Sequence, residues 1–217
     1  MMDRVLEPEV MDTAEEADGY DAMDHSGPNA AFVGRLEELG AHGRVLDIGT
    51  GPGHIPLLVC ERIPGTHVVA IDLADHMLAH AERHRQASPH ADRIELRKAD
   101  AKGLDFEDAS FDTVYSNTIL HHIPDPAPFL REAARVLKPG GVLLIRDLYR
   151  PIDSETVTQL VDQHAADETD YNRELFRASL CAALTPGELR VMADRVGLED
   201  ATLVVDTDRH MSLQRGT

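Results

Sequence analysis

The chain has 217 residues, enough for one α/β domain with modest additions, and its 42% apolar but only 4% aromatic content implies a core of Leu, Val, Ile and Ala. With 39 Asp plus Glu against 21 Lys plus Arg, the formal net charge is −18, which repels phosphate backbones and anionic lipid and argues against nucleic-acid and membrane partners. There is no apolar run of about eighteen residues, Met1 to Met11 is acidic, and Cys60 and Cys181 stand in unrelated contexts, so neither a transmembrane helix, a secretory signal nor a disulfide framework is expected, and the expected location is cytoplasmic.

Thr13 to Met23 is weakly helical, and Ser26-Gly27-Pro28 reads as a breaker. A helix is predicted from Asn29 to Leu39, with Phe32, Val33, Leu36 and Leu39 on one face. Arg44 to Ile48 is a short buried strand ended by a glycine-rich turn, after which a helix runs to about Arg62. His67 to Asp72 is a second strand, Asp75 to Gln86 a helix, Arg93 to Arg97 a third strand and Phe111 to Ser116 a fourth. A helix over Pro126 to Leu137 is stopped by Lys138-Pro139-Gly140-Gly141, and Gly141 to Arg146 is a fifth strand. Short apolar strands alternating with helices imply a parallel sheet covered on both faces. Arg150 to Leu184 interrupts the alternation with two helices. Thr185-Pro-Gly-Glu188 is a capping box opening a helix that ends near Gly197, and Ala201 to Val205 with Met211 to Leu213 reads as an antiparallel hairpin.

The glycine turn carries the most chemistry. In Val45-Leu-Asp47-Ile-Gly49-Thr50-Gly51-Pro-Gly53 the glycines follow a strand and open a helix, where backbone approaches a nucleotide-like ligand closely. The third glycine comes one residue earlier than in the dinucleotide pattern, which argues against a nucleotide-dependent oxidoreductase. Asp47 would repel a pyrophosphate but suits an ammonium group, and Asp72 ends the second strand where ribose hydroxyls are read. A ligand with a ribose, an amine and no phosphate answers both acids, and S-adenosylmethionine is one.

Together with Ala70-Ile-Asp72, Met77-Leu78, Arg97-Lys-Ala-Asp100-Ala101, Leu104 to Asp112, Asn117 to His122 and Val136 to Gly141, this ordered set resembles the class I S-adenosylmethionine-dependent methyltransferases, small-molecule type. The resemblance implies a Rossmann-like, seven-stranded, mostly parallel sheet in the order 3-2-1-4-5-7-6, strand seven antiparallel, with helices on both faces. It implies one methyltransferase domain: a helical cap over 1–43, a cofactor-binding core over 44–149, a helical insert over 150–184, and a last helix and hairpin over 185–217. The cofactor is S-adenosyl-L-methionine, its product S-adenosyl-L-homocysteine. By position, Gly49, Thr50, Gly51 and Gly53 shape the cofactor loop, Asp47 lies near the methionine end and Asp72 binds the ribose. Leu73 and Met77 flank adenine, Asp100 with Ala101 reads the adenine amino group, and Asn117 borders the methionyl part. The family often has Ser or Thr where this chain has Ala74, so Asp75 is expected to cap the following helix.

The expected reaction is an in-line displacement in which an acceptor O, N, S or C attacks the sulfonium methyl. His121 and His122, just past strand four, are candidate bases, although the pair also suits a closing turn or a pocket wall. Tyr20 and His25 ahead of the core, and Asp147, Tyr149 and Arg150 after strand five, are candidate acceptor-binding residues. His76, His80 and His84 share a helical face, but further metal ligands are not apparent in the sequence, so no metal is expected. The two cysteines do not resemble the multi-cysteine site of arsenic methylation. The acceptor is expected to be a small molecule and the assembly a monomer or homodimer. A non-catalytic cofactor-binding subunit and a macromolecular methyltransferase stay open as alternatives.

Overall fold

The computed structural model describes residues 2–7 and 12–217, so the expectation about a secretory segment over Met1 to Met11 lies in part outside the described residues. Seven strands form one sheet: β1 (Arg44–Ile48), β2 (His67–Asp72), β3 (Ile94–Lys98), β4 (Phe111–Asn117), β5 (Leu137–Leu148), β6 (Thr202–Val205) and β7 (His210–Arg215). Their order is β3-β2-β1-β4-β5-β7-β6; β7 runs antiparallel to both β5 and β6, and the other pairs are parallel. The expected topology is therefore present, strand for strand. The order reverses between β1 and β4, so the loops leaving these two strands diverge to opposite faces and open a crevice at their carboxyl ends.

Among the described residues, eight α-helices surround the sheet: α1 (Ala14–Asp21), α2 (Ser26–Glu38), α3 (His54–Arg62), α4 (Asp75–Ala87), α5 (Ala127–Val136), α6 (Ser154–His164), α7 (Asp170–Ala182) and α8 (Pro186–Arg195). Strand alternation divides the apolar residues between two cores. Leu46 and Ile48 of β1, with Val69 and Ile71 of β2, join Phe129 and Leu130 of α5 and Leu189 of α8. Val45, with Val68 and Ala70, joins Phe32 and Leu36 of α2 and Val59 of α3. Asp47 follows Val45 at a two-residue interval and so faces this second core, which explains why a carboxylate is only 2% exposed there. The insert has its own cluster, in which Val157, Leu160 and Val161 of α6 meet Leu180 of α7 and Leu148 of β5. The capping box at Thr185 is formed as expected, with Thr185 and Glu188 satisfying each other's amides.

Three local expectations are corrected. Ser26-Gly27-Pro28 does not break a helix; it is the first turn of α2, where proline's missing N–H has no intrahelical acceptor to lose. Asp75 does not cap α4: Ala74 holds the cap position without a side-chain bond, and Asp75 pairs with Lys98 Nζ at 2.5 Å. Asp72 turns the chain there instead, its Oδ1 accepting from the Ala74 amide at 2.9 Å. Lys138 to Gly141 does not precede the fifth strand but lies within β5, whose pairing jumps from Leu137 opposite Phe111 to Val142 opposite Thr113. A Cβ at Gly141 would sit 2.8 Å from the Asp112 carbonyl oxygen, so this irregularity requires glycine.

Candidate functional site

The crevice between β1 and β4 is a cleft of about 1140 Å³ including its mouth. The turn after β1 forms its floor. Gly49, Gly51 and Gly53 have φ of +79°, +54° and +81°, in the left-handed region that favours glycine. A Cβ at Gly49 would lie 2.6 Å from Ile119, whereas beside Gly51 the nearest atom is Tyr20 Cε1 at 4.0 Å. Gly49 is thus demanded by packing as well as dihedral, and Gly51 by dihedral alone. The amides of Gly49 and Thr50 both donate to the Ile71 carbonyl at 2.9 Å. Gly51 donates to Asp72 Oδ2 at 2.8 Å. The acid at the end of β2 thus braces the turn after β1. Burial raises the Asp72 pKa, against the pull of the Ala74 and Gly51 amides.

Thr50, Asp72, Leu73, Met77, Asp100, Ala101 and Asn117 line the cleft together with Gly49 and Gly51. Asp47 lies just beneath, and its burial pushes its pKa up to about 7, with Asp72 adding to the rise. The hydroxyls of Thr50 and Tyr115 flank this carboxylate and lower its pKa in part. Asp47 Oδ2, Thr50 Oγ1, Tyr115 Oη and Asn117 Oδ1 are nevertheless buried without an aligned hydrogen-bond partner among the described residues. Such atoms are costly unless a ligand or water meets them. Asp100 caps the loop after β3: its Oδ1 accepts from the Lys102 amide at 2.9 Å and lies 3.0 Å from Lys102 Nζ. Burial alone would raise its pKa, but the Lys102 contacts hold it below the ordinary carboxylate value. Gly53 packs behind the turn, where a Cβ would approach Ala81 to 3.0 Å.

Tyr20 and His25 line the cleft from the α1–α2 connection, their rings 4.5 Å apart, so the segment ahead of the core does reach over it. Ala17 of α1 packs on Met77 and Ala74 beneath that flap.

His122 lines the cleft, whereas His121 is buried behind it. His121 Nδ1 is 2.6 Å from Asp147 Oδ1, and Asp147 also accepts from the amides of Leu120 (2.5 Å) and Leu148 (2.6 Å). Burial opposes both charges, but each group holds the other charged: the His121 pKa is raised and the Asp147 pKa lowered. Asp147 is therefore committed to positioning the turn that carries the two histidines. Tyr149 donates its hydroxyl to the Asp208 carbonyl, and Arg150 is spent on the Met2 and Ala183 carbonyls and Glu188. Asp147, Tyr149 and Arg150 thus stand apart from the cleft-lining residues.

Glu7 is the main residue that sequence reasoning missed. Its Oε1 lies 3.0 Å from His122 Nδ1 and 3.4 Å from His121 Nε2, with only 9% of the side chain exposed. Arg4 secures this segment by donating to the carbonyls of Pro124, Ile123 and Ala182. Burial opposes ionisation of Glu7, yet His122 and His121 lower its pKa overall. No sequence signal marks a glutamate so distant along the chain. His54, Thr118 and Ile119 also line the cleft without having been singled out.

The histidine stripe of α4 grades from exposed His76 through half-buried His84 to buried His80, and each ring meets an acid from ahead of the core. His76 Nδ1 meets Asp12 at 3.1 Å, His80 meets Asp18 and Asp21 at 2.8 Å, and His84 Nε2 lies 3.5 Å from Asp21. The acids ahead of the core lie along this stripe. Among the described residues, no helix is long and apolar enough to cross a membrane.

Comparison with known proteins agrees with this geometry. Residues 46–145 match the family described as a methyltransferase domain. The arsenite methyltransferase of Aquipseudomonas alcaligenes is 31% identical over 172 residues, covering 75% of this chain and 46% of that protein. The 27-O-demethylrifamycin SV methyltransferase of Amycolatopsis mediterranei is 38% identical over 109 residues, covering 50% of this chain and 40% of that one. The chain therefore spans less than half the length of these two relatives. In fold it is similar to a SAM-dependent methyltransferase from Aquifex aeolicus, with a TM-score of 0.69 at 17% identity over 94% of this chain and 98% of the other. Sheet order, glycine turn and family match converge: residues 46–145 carry a methyltransferase domain, in a sheet with the strand order of the class I S-adenosylmethionine-dependent methyltransferases.

Proposed function

We propose that this chain transfers a methyl group from S-adenosyl-L-methionine to a small-molecule acceptor. The observation that carries this reading is the Gly51–Asp72 hydrogen bond, which joins a left-handed glycine turn to a half-buried acid at the wall of the cleft. The unpartnered Asp47, Thr50 and Asn117 oxygens lie at or just beneath that floor and fit the cofactor's amine-bearing end. Asp72 holds the ribose, Leu73 and Met77 flank the adenine, and Asp100 with Ala101 reads its amino group. When bound, the cofactor supplies an electrophilic methyl group with its leaving group already attached.

The acceptor site lies beyond Asn117, beside His122. Nδ1 of His122 faces Glu7, so a proton held there directs Nε2 toward the cleft as a base for an acceptor hydroxyl or amine. The buried His121–Asp147 pair fixes the turn that presents it. A small acceptor is favoured because the net charge of −18 repels nucleic acid, and both relatives named above are named for small-molecule acceptors. Arsenite is not the acceptor we favour: Cys60 is buried in the core and Cys181 lies on α7 beside the insert's own cluster, so the two thiols do not form a shared site. The flap over 1–43 and the insert over 150–184 choose the acceptor, and 44–149 binds the cofactor.

Titration calorimetry with S-adenosylhomocysteine tests the cofactor reading. Binding that is lost in Asp72→Ala supports it; no heat with that nucleoside or with S-adenosylmethionine overturns it.

A further inference from the structure

We infer that Asp21, His54 and His84 form a site for a divalent ion of the zinc class, which pins α1 over the cleft. The three residues come from three elements: Asp21 ends α1, His54 opens α3 and His84 lies near the end of α4. One ligand atom from each falls within 4.8 Å of the others. His54 Nε2 is 3.0 Å from Asp21 Oδ1, and His84 Nε2 is 3.5 Å from Asp21 Oδ2. A tetrahedral ion with ligands at about 2.0–2.1 Å sets neighbouring donor atoms about 3.3 Å apart, and each histidine nitrogen lies near that distance from one oxygen of the Asp21 carboxylate.

Tautomer chemistry points the same way. Nδ1 of His84 lies 2.9 Å from the Pro52 carbonyl oxygen, which can only accept, so that nitrogen carries a proton. In a neutral ring, Nε2 then presents its lone pair to the Asp21 carboxylate, and two acceptors face each other. A cation between them resolves that opposition. A histidine whose far nitrogen donates to a carbonyl is also the usual orientation of a metal-bound imidazole. Asp21 Oδ1 is buried without an aligned hydrogen-bond partner among the described residues, although His54 lies close to it. His80 Nδ1 lies 2.8 Å from the other Asp21 oxygen and 2.7 Å from Arg83 Nη2. The three side chains keep between 19% and 33% exposure, so an ion can enter and a water can complete its coordination. Tyr20, adjacent to Asp21, and His54 both line the cleft, so an ion here ties the flap to its wall.

Titration of the full chain with Co²⁺, read by its ligand-field absorption, tests the site without reference to the cleft's ligand. The expected result is a four-coordinate spectrum, with affinity at least tenfold lower in Asp21→Asn and in His84→Ala but kept in His122→Ala. Circular dichroism in chelator compares the folds; if His84→Ala does not fold, Asp21→Asn reads the same loss. Hydrogen exchange of the 14–21 amides is expected to slow when Zn²⁺ is added. No four-coordinate spectrum overturns the site, as do bands that survive both ligand substitutions but vanish in His122→Ala. Unchanged exchange overturns the pinning.

Discussion

Oε1 of Glu7 lies 3.0 Å from Nδ1 of His122, although 115 positions separate the two residues along the chain. The two atoms lie close but without an aligned hydrogen bond, beside the one histidine of the pair that faces the cleft, while Asp147 occupies the other.

Removing the base should slow turnover and spare the cofactor. His122→Ala is expected to lower kcat about 100-fold, the usual contribution of a positioned base, with S-adenosylhomocysteine affinity unchanged by calorimetry. Glu7→Gln should lower it less and shift the pH–rate profile, because it weakens the orientation of the ring but leaves the ring in place. A kcat untouched by either substitution would remove His122 from the chemistry.

Asp72 supports two things at once. Asp72→Ala removes acceptors for the Gly51 and Ala74 amides, and each lost bond costs about 1 kcal/mol, so the thermal midpoint should fall. Nucleoside affinity should fall much further, at least about 100-fold, since the glycine turn loses its brace and the ribose its acceptor. Calorimetry and thermal melts separate the two effects.

Asp47 ties stability to pH. Its folded pKa of about 7 lies above its ordinary value of 3.8, so the folded state holds the proton more tightly than the unfolded chain. Stability of the unliganded protein therefore falls as pH rises from about 4 to about 7, by roughly 4 kcal/mol at most. Asp47→Asn should flatten that fall, making the variant more stable at pH 8 and nearly equal at pH 4, while weakening S-adenosylmethionine binding. Urea melts across that range check the sign.

The His121–Asp147 pair works the other way. Asp147 has a lowered pKa, so its contribution is present above its unfolded pKa and lost as pH falls through the folded one. The raised pKa of His121 gives a contribution complete below its unfolded value and lost as pH rises through the folded one. The pair thus stabilises most between those limits. Asp147→Asn leaves the buried His121 with only the more distant Glu7, 3.4 Å from its Nε2, as counter-charge and should cost about 3 kcal/mol by denaturant melts. A cost under about 1 kcal/mol would show that the pair is not charged.

Much of the molecule follows from residues read in order. Strand periodicity, glycine spacing, the two acids Asp47 and Asp72 and the Thr185–Glu188 box are all local patterns, because each depends on neighbours a few positions away. Those same local rules explain the small errors: Ser26-Gly27-Pro28 carries breaker residues whose defects cost nothing in a helix's first turn. Lys138–Gly141 has the residues of an element boundary, but pairing with β4 on either side of it makes one strand of Leu137–Leu148.

What the chain order could not supply is which distant side chains meet. Glu7 reaches His122, and Asp21 reaches His54, His80 and His84, only after strands and helices have been laid side by side. Asp147 lies inside β5 and Arg150 just past it, and packing turns both inward to satisfy buried amides and carbonyls. Covalent neighbours determine dihedrals and periodicity, so the sheet and the glycine turn were readable from sequence. Charge pairing across the fold depends on through-space distance and desolvation, and those exist only in the folded chain.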